Sequence, residues 1–408
     1  MKILICSLNY YPELTGIGKY SGEMAAWLVK GGHQVRVVTA PPYYPAWAVQ
    51  PGYSSSSYSR ELIDGVDVIR CPLWVPRQPG GLKRLVHLAS FAVSSIPALL
   101  SALWWRPAVV FVVEPPLFCA PAAWAVSRLA GAKAWLHVQD YEVDAAFDLG
   151  LLKGASVRRL VSTCERWLMR RFDRVSTISG KMLERALSKG VLESKSRLFP
   201  NWVDVSHIQP LQQDSAYRRE LGISSDAVVA LYSGNMGGKQ GLEILGEVAK
   251  RLADDPRVHF VFCGDGAGKA DLVSRCEGLK NVHFMSLQPM ERLGELLGLA
   301  DIHLLPQRGD AADLVMPSKL TGMLASGRSV VATAHRDTEL ARVVDGRGYV
   351  TTPEDPEDMA RAILALVDSP DDRVRFGRSA REYAERELNV DAILARFEGE
   401  LRAVVATG

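Results

Sequence analysis

The sequence predicts an α/β protein with two domains, each built around a doubly wound and mostly parallel sheet. The chain has 408 residues, which is too long for one ordinary hydrophobic core and suits two domains. Apolar strand-like runs alternate with helical patterns from the first residues onward, and the same alternation starts again near residue 228. Because this alternation is typical of parallel strands joined by crossover helices, it predicts two Rossmann-like domains.

The first domain opens on a βαβ unit. A strand at residues 2–7 is followed by a helix at 16–30, whose apolar side chains recur on one face, and by a strand at 34–39. Gly31 and Gly32 end the helix. Further strands are predicted at Val66–Arg70, Val109–Val113, Ala134–Val138 and Arg174–Ile178.

The second domain repeats the pattern and is followed by a helical tail. Its strands are predicted at Val228–Ser233, Val258–Cys263, Asn281–Phe284, Ile302–Leu305 and Ser329–Thr333. Its helices are predicted at 242–252, 268–277 and 317–326, and those of the tail at 356–367, 370–387 and 391–405. We therefore expect domains at 1–204 and 205–385, with a tail at 386–408 that packs on the first domain.

Charge is distributed unevenly between the two halves of the chain. Residues 1–204 hold 24 Lys and Arg against 15 Asp and Glu, whereas the remainder holds 24 against 31. A basic half indicates an anionic partner, and its apolar runs favour membrane lipid or a lipid diphosphate over nucleic acid. Six cysteines without CxxC spacing indicate a reducing compartment and no structural zinc.

Targeting and membrane signals are weak. The first apolar run, Ile3–Cys6, is too short for a secretory signal and reads as a buried strand. Polar residues interrupt the segment Leu82–Trp105, so a spanning helix is rejected there and an interfacial one is left open. A basic cluster with Trp167 follows at Arg158, Arg159, Arg166, Arg170, Arg171 and Arg174. It is either a solvated helix face or, with Lys83, Arg84 and the Trp104–Trp105 pair, a membrane contact.

Two glycine-bearing loops are candidate phosphate cradles. In the first domain Thr15, Gly16, Gly18 and Lys19 open a helix, where free N–H groups attract anions, although a tight turn explains the glycines equally well. The loop after the first strand of the second domain is the better cradle. Its candidate donor-binding residues are Gly234, Asn235, Gly238, Lys239 and Gln240.

Other candidate residues follow strands of the two sheets. Ligands of open α/β sheets lie beyond the carboxyl ends of strands, so Gly264, Asp265, Gly266, Leu287 and Gln288 should line the same crevice as the second glycine loop. Ser318 and Lys319 open a helix, where Lys319 suits a phosphate. Asp313, just before this helix, suits sugar hydroxyls and is a candidate catalytic residue.

One polar stretch of the first domain is the candidate catalytic segment. Asp140 is the carboxylate best placed to orient or deprotonate an acceptor hydroxyl. His137 is either functional or a satisfied core histidine, and Glu142 and Asp144 are taken as solvated acids at a helix start.

Four stretches together resemble a known family. They are the first loop with P-E-x-x-G-x-G, Pro200–Asp204 with P-N-x-V-D, the G-N-x-G-x-x-Q-G loop and the P-S-K-L segment. This pattern resembles the GT-B glycosyltransferases of family GT4, and the runs at 137–148 and 311–334 are most similar to the bacterial colanic acid biosynthesis group. The resemblance covers nearly the whole chain.

The resemblance implies a fold of two facing Rossmann-like domains, with the donor nucleotide on the second and the acceptor on the first. It implies a retaining, metal-independent transfer that uses a nucleotide-sugar and no cofactor. GDP-fucose is the favoured donor, a UDP-sugar the alternative, and a sugar-diphosphate-lipid the acceptor in exopolysaccharide assembly. The expected location is cytoplasmic, on the inner face of the membrane.

The chain also departs from the family pattern. Asn235 and Gln240 occupy the positions where many members place Arg and Lys, so Lys239 and Lys319 are the available cations. The second acid of the family's E-x7-E pair falls at Gly322 or Leu320, so no ribose-binding Glu is assigned. Rival functions on two α/β lobes are a nucleotide-sugar 2-epimerase, a two-lobed sugar-binding protein and, less well supported, an NAD-dependent oxidoreductase.

Overall fold

A computed structural model of the chain describes residues 1–14, 16–77, 80–115, 117–141, 143–144, 155–237, 240–309 and 317–407. The chain forms two compact units. Unit 1 comprises Met1–Pro200 with Leu394–Gly408, and unit 2 comprises Asn201–Ile393. Unit 2 therefore ends at Ile393, which is later than the boundary predicted after residue 385.

Unit 1 is built on an eight-stranded sheet. Its strands are β1 (Lys2–Cys6), β2 (Gln34–Thr39), β3 (Ser59–Ile63), β4 (Val66–Arg70), β5 (Val109–Glu114), β6 (Lys133–Val138), β7 (Arg174–Thr177) and β8 (Ser196–Leu198). Its helices are α1 (Gly16–Lys30), α2 (Gly81–Trp105), α3 (Ala120–Ala130), α4 (Ala155–Met169) and α5 (Gly180–Ser188). The strand order is β3-β4-β2-β1-β5-β6-β7-β8, and all pairs are parallel except β3 with β4.

The central strands of this sheet are apolar because both of their faces are covered. Every residue of β5 is buried, and β1 and β6 expose little beyond their first residue. Continuous apolar runs of this kind are typical of parallel sheets with helices on both faces. The strand order reverses beside β1, which lies between β2 and β5, so the carboxyl ends of β1 and β5 mark the crevice of unit 1.

The helix α2 is the longest helix that the structure describes. Among the described residues it is the one helix whose length and composition would let it cross a membrane. One side of it is nevertheless buried within unit 1, including His87, Phe91, Leu99 and Ala102. The segment that the sequence left open is therefore a helix with one face in the protein core.

The chain ends in a helix, α14 (Val390–Ala406), whose greater part belongs to unit 1. The ring of Phe397 stacks on Phe199 with centroids 4.3 Å apart and meets Phe111 and Trp135 edge-on at 5.2 Å. Arg197 pairs with Glu400 at 2.7 Å. The C-terminal helix thus completes the aromatic core of the first unit.

Unit 2 contains a six-stranded, wholly parallel sheet. Its strands are β9 (Val228–Ser233), β10 (Val258–Cys263), β11 (Val282–Met285), β12 (Ile302–Leu305), β13 (Ser329–Thr333) and β14 (Gly348–Thr351). Its helices include α6 (Ala216–Glu220), α7 (Glu243–Arg251), α8 (Lys269–Arg275), α9 (Leu293–Leu299), α10 (Lys319–Ala325), α11 (Glu339–Val344), α12 (Pro356–Asp368) and α13 (Pro370–Glu387). The strand order is β11-β10-β9-β12-β13-β14.

Local sequence signals begin several helices of unit 2. Asp355 accepts hydrogen bonds from the N–H groups of Glu357 and Asp358 at the start of α12, and Thr338 does the same for Ala341 in α11. Ala380 and Ala384 of α13 are buried in the core of unit 2 together with Met323. This packing keeps all of α13 in unit 2, so unit 2 extends beyond the predicted end at residue 385.

Candidate functional site

The candidate site of unit 2 lies where the order of its sheet reverses. Strand β9 has β10 on one side and β12 on the other, so the loops after β9 and β12 leave in opposite directions. Ligands of open parallel sheets bind beyond the carboxyl ends of strands at such a point. The second glycine loop follows β9 directly, and Lys319 begins the helix that leads from β12 to β13.

The loops after β9 and β10 are joined by their backbones. The N–H of Met236 donates to the carbonyl of Asp265 at 2.9 Å, and the N–H of Gly268 donates to the carbonyl of Met236 at 2.7 Å. A Cβ atom on Gly264 would lie 2.0 Å from the carbonyl oxygen of Gly234, and one on Gly266 would lie 2.6 Å from that of Met236. Glycine is therefore required at 264 and 266 for the two loops to meet.

Lys319, at the start of α10, extends its side chain to the joined loops after β9 and β10. Its ammonium donates to the hydroxyl of Tyr232 at 2.9 Å and would lie 3.3 Å from a Cβ on Gly234. Tyr232 is buried, and its hydroxyl donates in turn to the carbonyl of Asn235 at 2.6 Å. Burial lowers the pKa of Lys319 to about 8. A desolvated cation at a glycine loop is a favourable place for a diphosphate.

Asp265, Leu287 and Gln288 form the neighbouring loop surface. One carboxylate oxygen of Asp265 accepts from the N–H of Leu287 at 3.2 Å, and the other pairs with Lys269 at 2.7 Å. The hydrogen bond from Lys269 holds the pKa of Asp265 below its usual value. Gln288 accepts from the hydroxyl of Tyr217 at 2.9 Å, and the side chain of Leu287 is 57% exposed. These contacts fix the loop and leave one apolar side chain facing solvent.

The remaining donor-site candidates divide into described and undescribed residues. Asn235 and Ser318 are exposed, and Ser318 makes no side-chain cap for α10. Gln240 is half-buried, and within the described part of the chain its Oε1 atom is buried without a hydrogen-bond partner. Gly238 and Lys239 lie outside the described residues, as does the catalytic candidate Asp313.

In unit 1 the first glycine loop is organised by an acid that the sequence did not single out. Glu13 is buried and accepts from the N–H groups of Tyr43 and Tyr44, both at 2.9 Å. A Cβ on Gly18 would lie 2.7 Å from the Cβ of Glu13. Glycine at position 18 therefore allows the start of α1 to pack on Glu13. The sequence signal that could have identified Glu13 is its place as the acid of the P-E-x-x-G-x-G motif.

The other first-loop candidates have local partners. Lys19 pairs with Glu23 at 3.2 Å, one helical turn further along α1. Gly16 has a φ of +58°, which favours glycine, and no atom lies within 4 Å of a Cβ placed there. Thr15 lies outside the described residues.

His137 is part of the core of unit 1. One ring nitrogen lies 2.9 Å from the hydroxyl of Ser176 and the other lies 3.0 Å from the amide nitrogen of Gln139. Its ring stacks on Phe111. Burial lowers the pKa of His137 to about 3, so the imidazole is neutral and already hydrogen-bonded. The geometry favours the structural alternative of the two that the sequence left open. Asp140 is half-buried, two residues beyond β6.

A buried charge network lies close to this segment, and it corrects the expectation that Asp144 is a solvated acid. Asp144 is buried and pairs with Lys189 and Arg185, both at 3.0 Å. Lys189 also pairs with the fully buried carboxylate of Glu165 at 2.5 Å. The hydrogen bonds from Arg185 and the charge of Lys189 outweigh burial and hold the pKa of Asp144 below its usual value. Glu142 lies outside the described residues.

One further buried acid, Glu114, was also missed. Glu114 is the last residue of β5, beside the point where the strand order of the unit 1 sheet reverses, and it is fully buried.

Within the described residues no group of three or more His, Cys, Asp or Glu side chains is placed to hold a metal ion. Of the six cysteines, Cys164 is exposed and the other five are buried.

Comparison with known proteins gives matches over both units. Residues 15–202 match the family model described as a glycosyl transferase 4-like domain, and residues 213–383 match the one described as glycosyl transferases group 1. The chain is 44% identical over 412 residues to a protein of Escherichia coli strain K12 described as a colanic acid biosynthesis glycosyl transferase, WcaI. That alignment covers 98% of this chain and 100% of the relative.

Solved structures with the same fold have much lower sequence identity. Sucrose-phosphate synthase from Thermosynechococcus elongatus aligns with a TM-score of 0.77 at 17% identity, and the alignment covers 100% of both chains. Anabaena HepE in complex with UDP and glucose aligns with a TM-score of 0.71 at 16% identity, covering 99% of this chain and 100% of that one.

Proposed function

Because the chain belongs to the GT-B glycosyltransferases that join a glycosyl transferase 4-like domain to a group 1 domain, we propose that it transfers a sugar from a nucleotide-sugar to a lipid-diphosphate-linked acceptor. The proposed setting is exopolysaccharide repeat-unit assembly of the colanic acid type, which the WcaI relative supports. GDP-fucose is the proposed donor, with a UDP-sugar as the alternative. The WcaI similarity favours a transferase over the epimerase and binding-protein readings.

The observation that carries the proposal is the position of Lys319 over the glycine loop. Its ammonium lies beside Gly234 and is held by Tyr232. In the proposed reaction this cation neutralises the charge that develops on the diphosphate as the bond from the anomeric carbon to the phosphate oxygen breaks. The proposed reaction needs no metal, because Lys319 and the glycine loop stabilise the charge on the leaving diphosphate.

The acceptor half of the proposal rests on Asp140. It is the half-buried carboxylate that follows β6, and we assign it the task of orienting the acceptor hydroxyl. His137 receives no proton-transfer role, since both of its ring nitrogens have partners in the core. The sugar is proposed to keep its anomeric configuration, so the attacking hydroxyl approaches from the side of the leaving group and passes its proton to a phosphate oxygen.

The first test is a thermal-shift and hydrolysis screen of GDP-, UDP-, ADP- and dTDP-sugars in the presence of EDTA. The proposal expects stabilisation by one nucleotide class and slow release of its sugar. Stabilisation by NAD or by free sugar alone would contradict it. Conversion of the nucleotide-sugar into its epimer without acceptor would replace it with the epimerase reading.

The second test compares two aspartate variants. Asp140→Ala should lower turnover with a lipid-linked acceptor far more than it lowers nucleotide-sugar affinity, because the proposed role is on the acceptor. The control is Asp254→Asn, an exposed acid of unit 2, which should leave both quantities unchanged. Normal turnover of Asp140→Ala would refute the acceptor assignment. Proton NMR of the product then reports whether the configuration is retained.

A further inference from the structure

The outward face of α2 is apolar along the length of the helix. Its large exposed side chains recur at intervals of three, four or seven residues and so form one stripe. They are Leu82, Val86, Val93, Ile96, Leu100 and Trp104. The stripe contains no charged residue, and Trp104 is 83% exposed at its end. A helix of this length presents about 35 Å of apolar edge to solvent.

Two neighbouring helices widen this stripe into a face. Helix α3 packs beside α2 and carries exposed Leu129, with Phe118 just before its start. Trp124 of α3 meets Trp167 of α4 with ring centroids 6.1 Å apart. Exposed Val157, Leu160 and Trp167 continue the apolar surface on α4. We call the exposed side chains of α2, α3 and α4 the docking face.

The charges on the docking face are predominantly positive. Helices α2 and α3 contain no acidic residue, and the one acid of α4, Glu165, is buried with Lys189. Exposed basic side chains stand among the apolar ones and just after α4, at Lys83, Arg128, Arg158, Arg159, Arg166, Arg170 and Arg171. One acid lies beside them, since Asp173 pairs with Arg128 at 2.9 Å. An exposed apolar surface of this extent, with so large an excess of positive charge, is unusual for a protein that stays free in solution.

We propose that the docking face binds an anionic lipid bilayer, with α2 lying along the membrane surface. Apolar side chains enter the interface, Trp104 sits at headgroup depth, and the arginines meet lipid phosphates. Because the opposite side of α2 is buried around Phe91 and Leu99, the helix lies on the bilayer instead of crossing it. A second copy of the chain is a poorer occupant, since two such faces would bring like charges together.

This inference deepens the proposed function, because a lipid-linked acceptor resides in such a bilayer and the docking face would place unit 1 against it. In that respect it rests on the proposed function. Vesicle binding requires no turnover, so the two can fail separately. A chain that is stabilised by a nucleotide-sugar but ignores vesicles would contradict the docking face alone, and the reverse result would contradict the proposed function alone.

The test is co-sedimentation of the full chain with vesicles of phosphatidylcholine mixed with phosphatidylglycerol, compared with phosphatidylcholine alone. We expect binding to the mixed vesicles that weakens as salt is added. Val93→Glu places a charge in the middle of the stripe and should weaken binding at least tenfold. Its matched control is Val374→Glu on α13, where the valine is 62% exposed against 68% for Val93. The control should bind as the wild type does.

A second pair of variants tests the charges. Arg158→Gln with Arg159→Gln should weaken binding to the mixed vesicles by about thirtyfold. Arg378→Gln, an exposed arginine of α13, should change it little. Absence of binding by the folded wild type, or equal loss with Val374→Glu, would overturn the inference. So would a concentration-dependent dimer that Val93→Glu abolishes, because the face would then serve self-association.

Discussion

The ammonium nitrogen of Lys319 lies 2.9 Å from the hydroxyl oxygen of Tyr232 and 4.2 Å from the centre of its ring. The hydroxyl of Tyr232 in turn donates a hydrogen bond to the carbonyl of Asn235, within the glycine loop. One buried phenol therefore fixes both the cation and the backbone of the candidate diphosphate site. Positioned in this way, Lys319 gives up little side-chain entropy when an anion binds.

The first prediction is that Lys319→Met weakens binding of a nucleoside diphosphate by about tenfold to a hundredfold, the range expected for one charge-assisted contact. Binding of the nucleoside without phosphates should change little, because the lost contact is to phosphate. Isothermal titration calorimetry measures both. Lys250→Met, an exposed lysine of α7, is the control and should match the wild type. Equal losses for nucleoside and diphosphate would indicate a structural role instead.

The second prediction concerns pH. Burial lowers the pKa of Lys319 to about 8, so the ammonium loses its proton as the pH rises through that value. The diphosphate keeps its charge there, and its affinity should therefore fall between about pH 7 and 10. Lys319→Arg stays protonated over this range and should give a flat profile. Parallel profiles for the two proteins would show that another group titrates.

The third prediction concerns the close approach of Gly264 to the carbonyl of Gly234. Gly264→Ala should lower the free energy of unfolding by about 2–5 kcal/mol, since the added Cβ collides with backbone and the φ of 157° is strained for alanine. Urea denaturation measures the change. Gly222→Ala also has a positive φ but meets no atom within 4 Å, so backbone strain alone should cost about 1–2 kcal/mol. Similar losses for both would mean that the loops separate easily.

The fourth prediction concerns Lys189, which neutralises two buried carboxylates. Lys189→Met should lower the free energy of unfolding by about 3–5 kcal/mol, because Glu165 loses its ion-pair partner in the core. Adding Glu165→Leu to the same chain should recover part of the loss. As a control, Lys250→Met removes a half-exposed ion pair with Glu247 and should cost less than about 1 kcal/mol. An equally small loss for Lys189→Met would show that the ion pairs of Lys189 contribute little to stability.

Much of the fold could be predicted because parallel, doubly covered strands are continuous apolar runs. Strands β9 and β13 begin and end at the predicted residues. Strand β3 was missed because most of its residues are exposed and two are charged, as suits an antiparallel edge strand that pairs only with β4. The four-residue strand β14 leaves too little pattern to recognise.

The sequence predicted which segments form the candidate site but not which side chains contact one another within it. The glycine loops and Lys319 could be identified because they follow strands at a known edge of the sheet. The partnership of Lys319 with Tyr232 joins residues 87 positions apart, which no local pattern reports. Asp144 was misread for the same reason, since its partners Arg185 and Lys189 come more than forty residues later.

The ring of Phe397 has a practical consequence for dissecting this chain. A fragment that stops at Pro200 would lack Phe397 and would leave the faces of Phe199, Phe111 and Trp135 uncovered. Such a fragment should aggregate, although its cut falls at the natural division between the units. We expect the first unit to become separable when residues 394–407 are supplied as a peptide or are fused ahead of Met1, because its two parts are discontinuous in sequence.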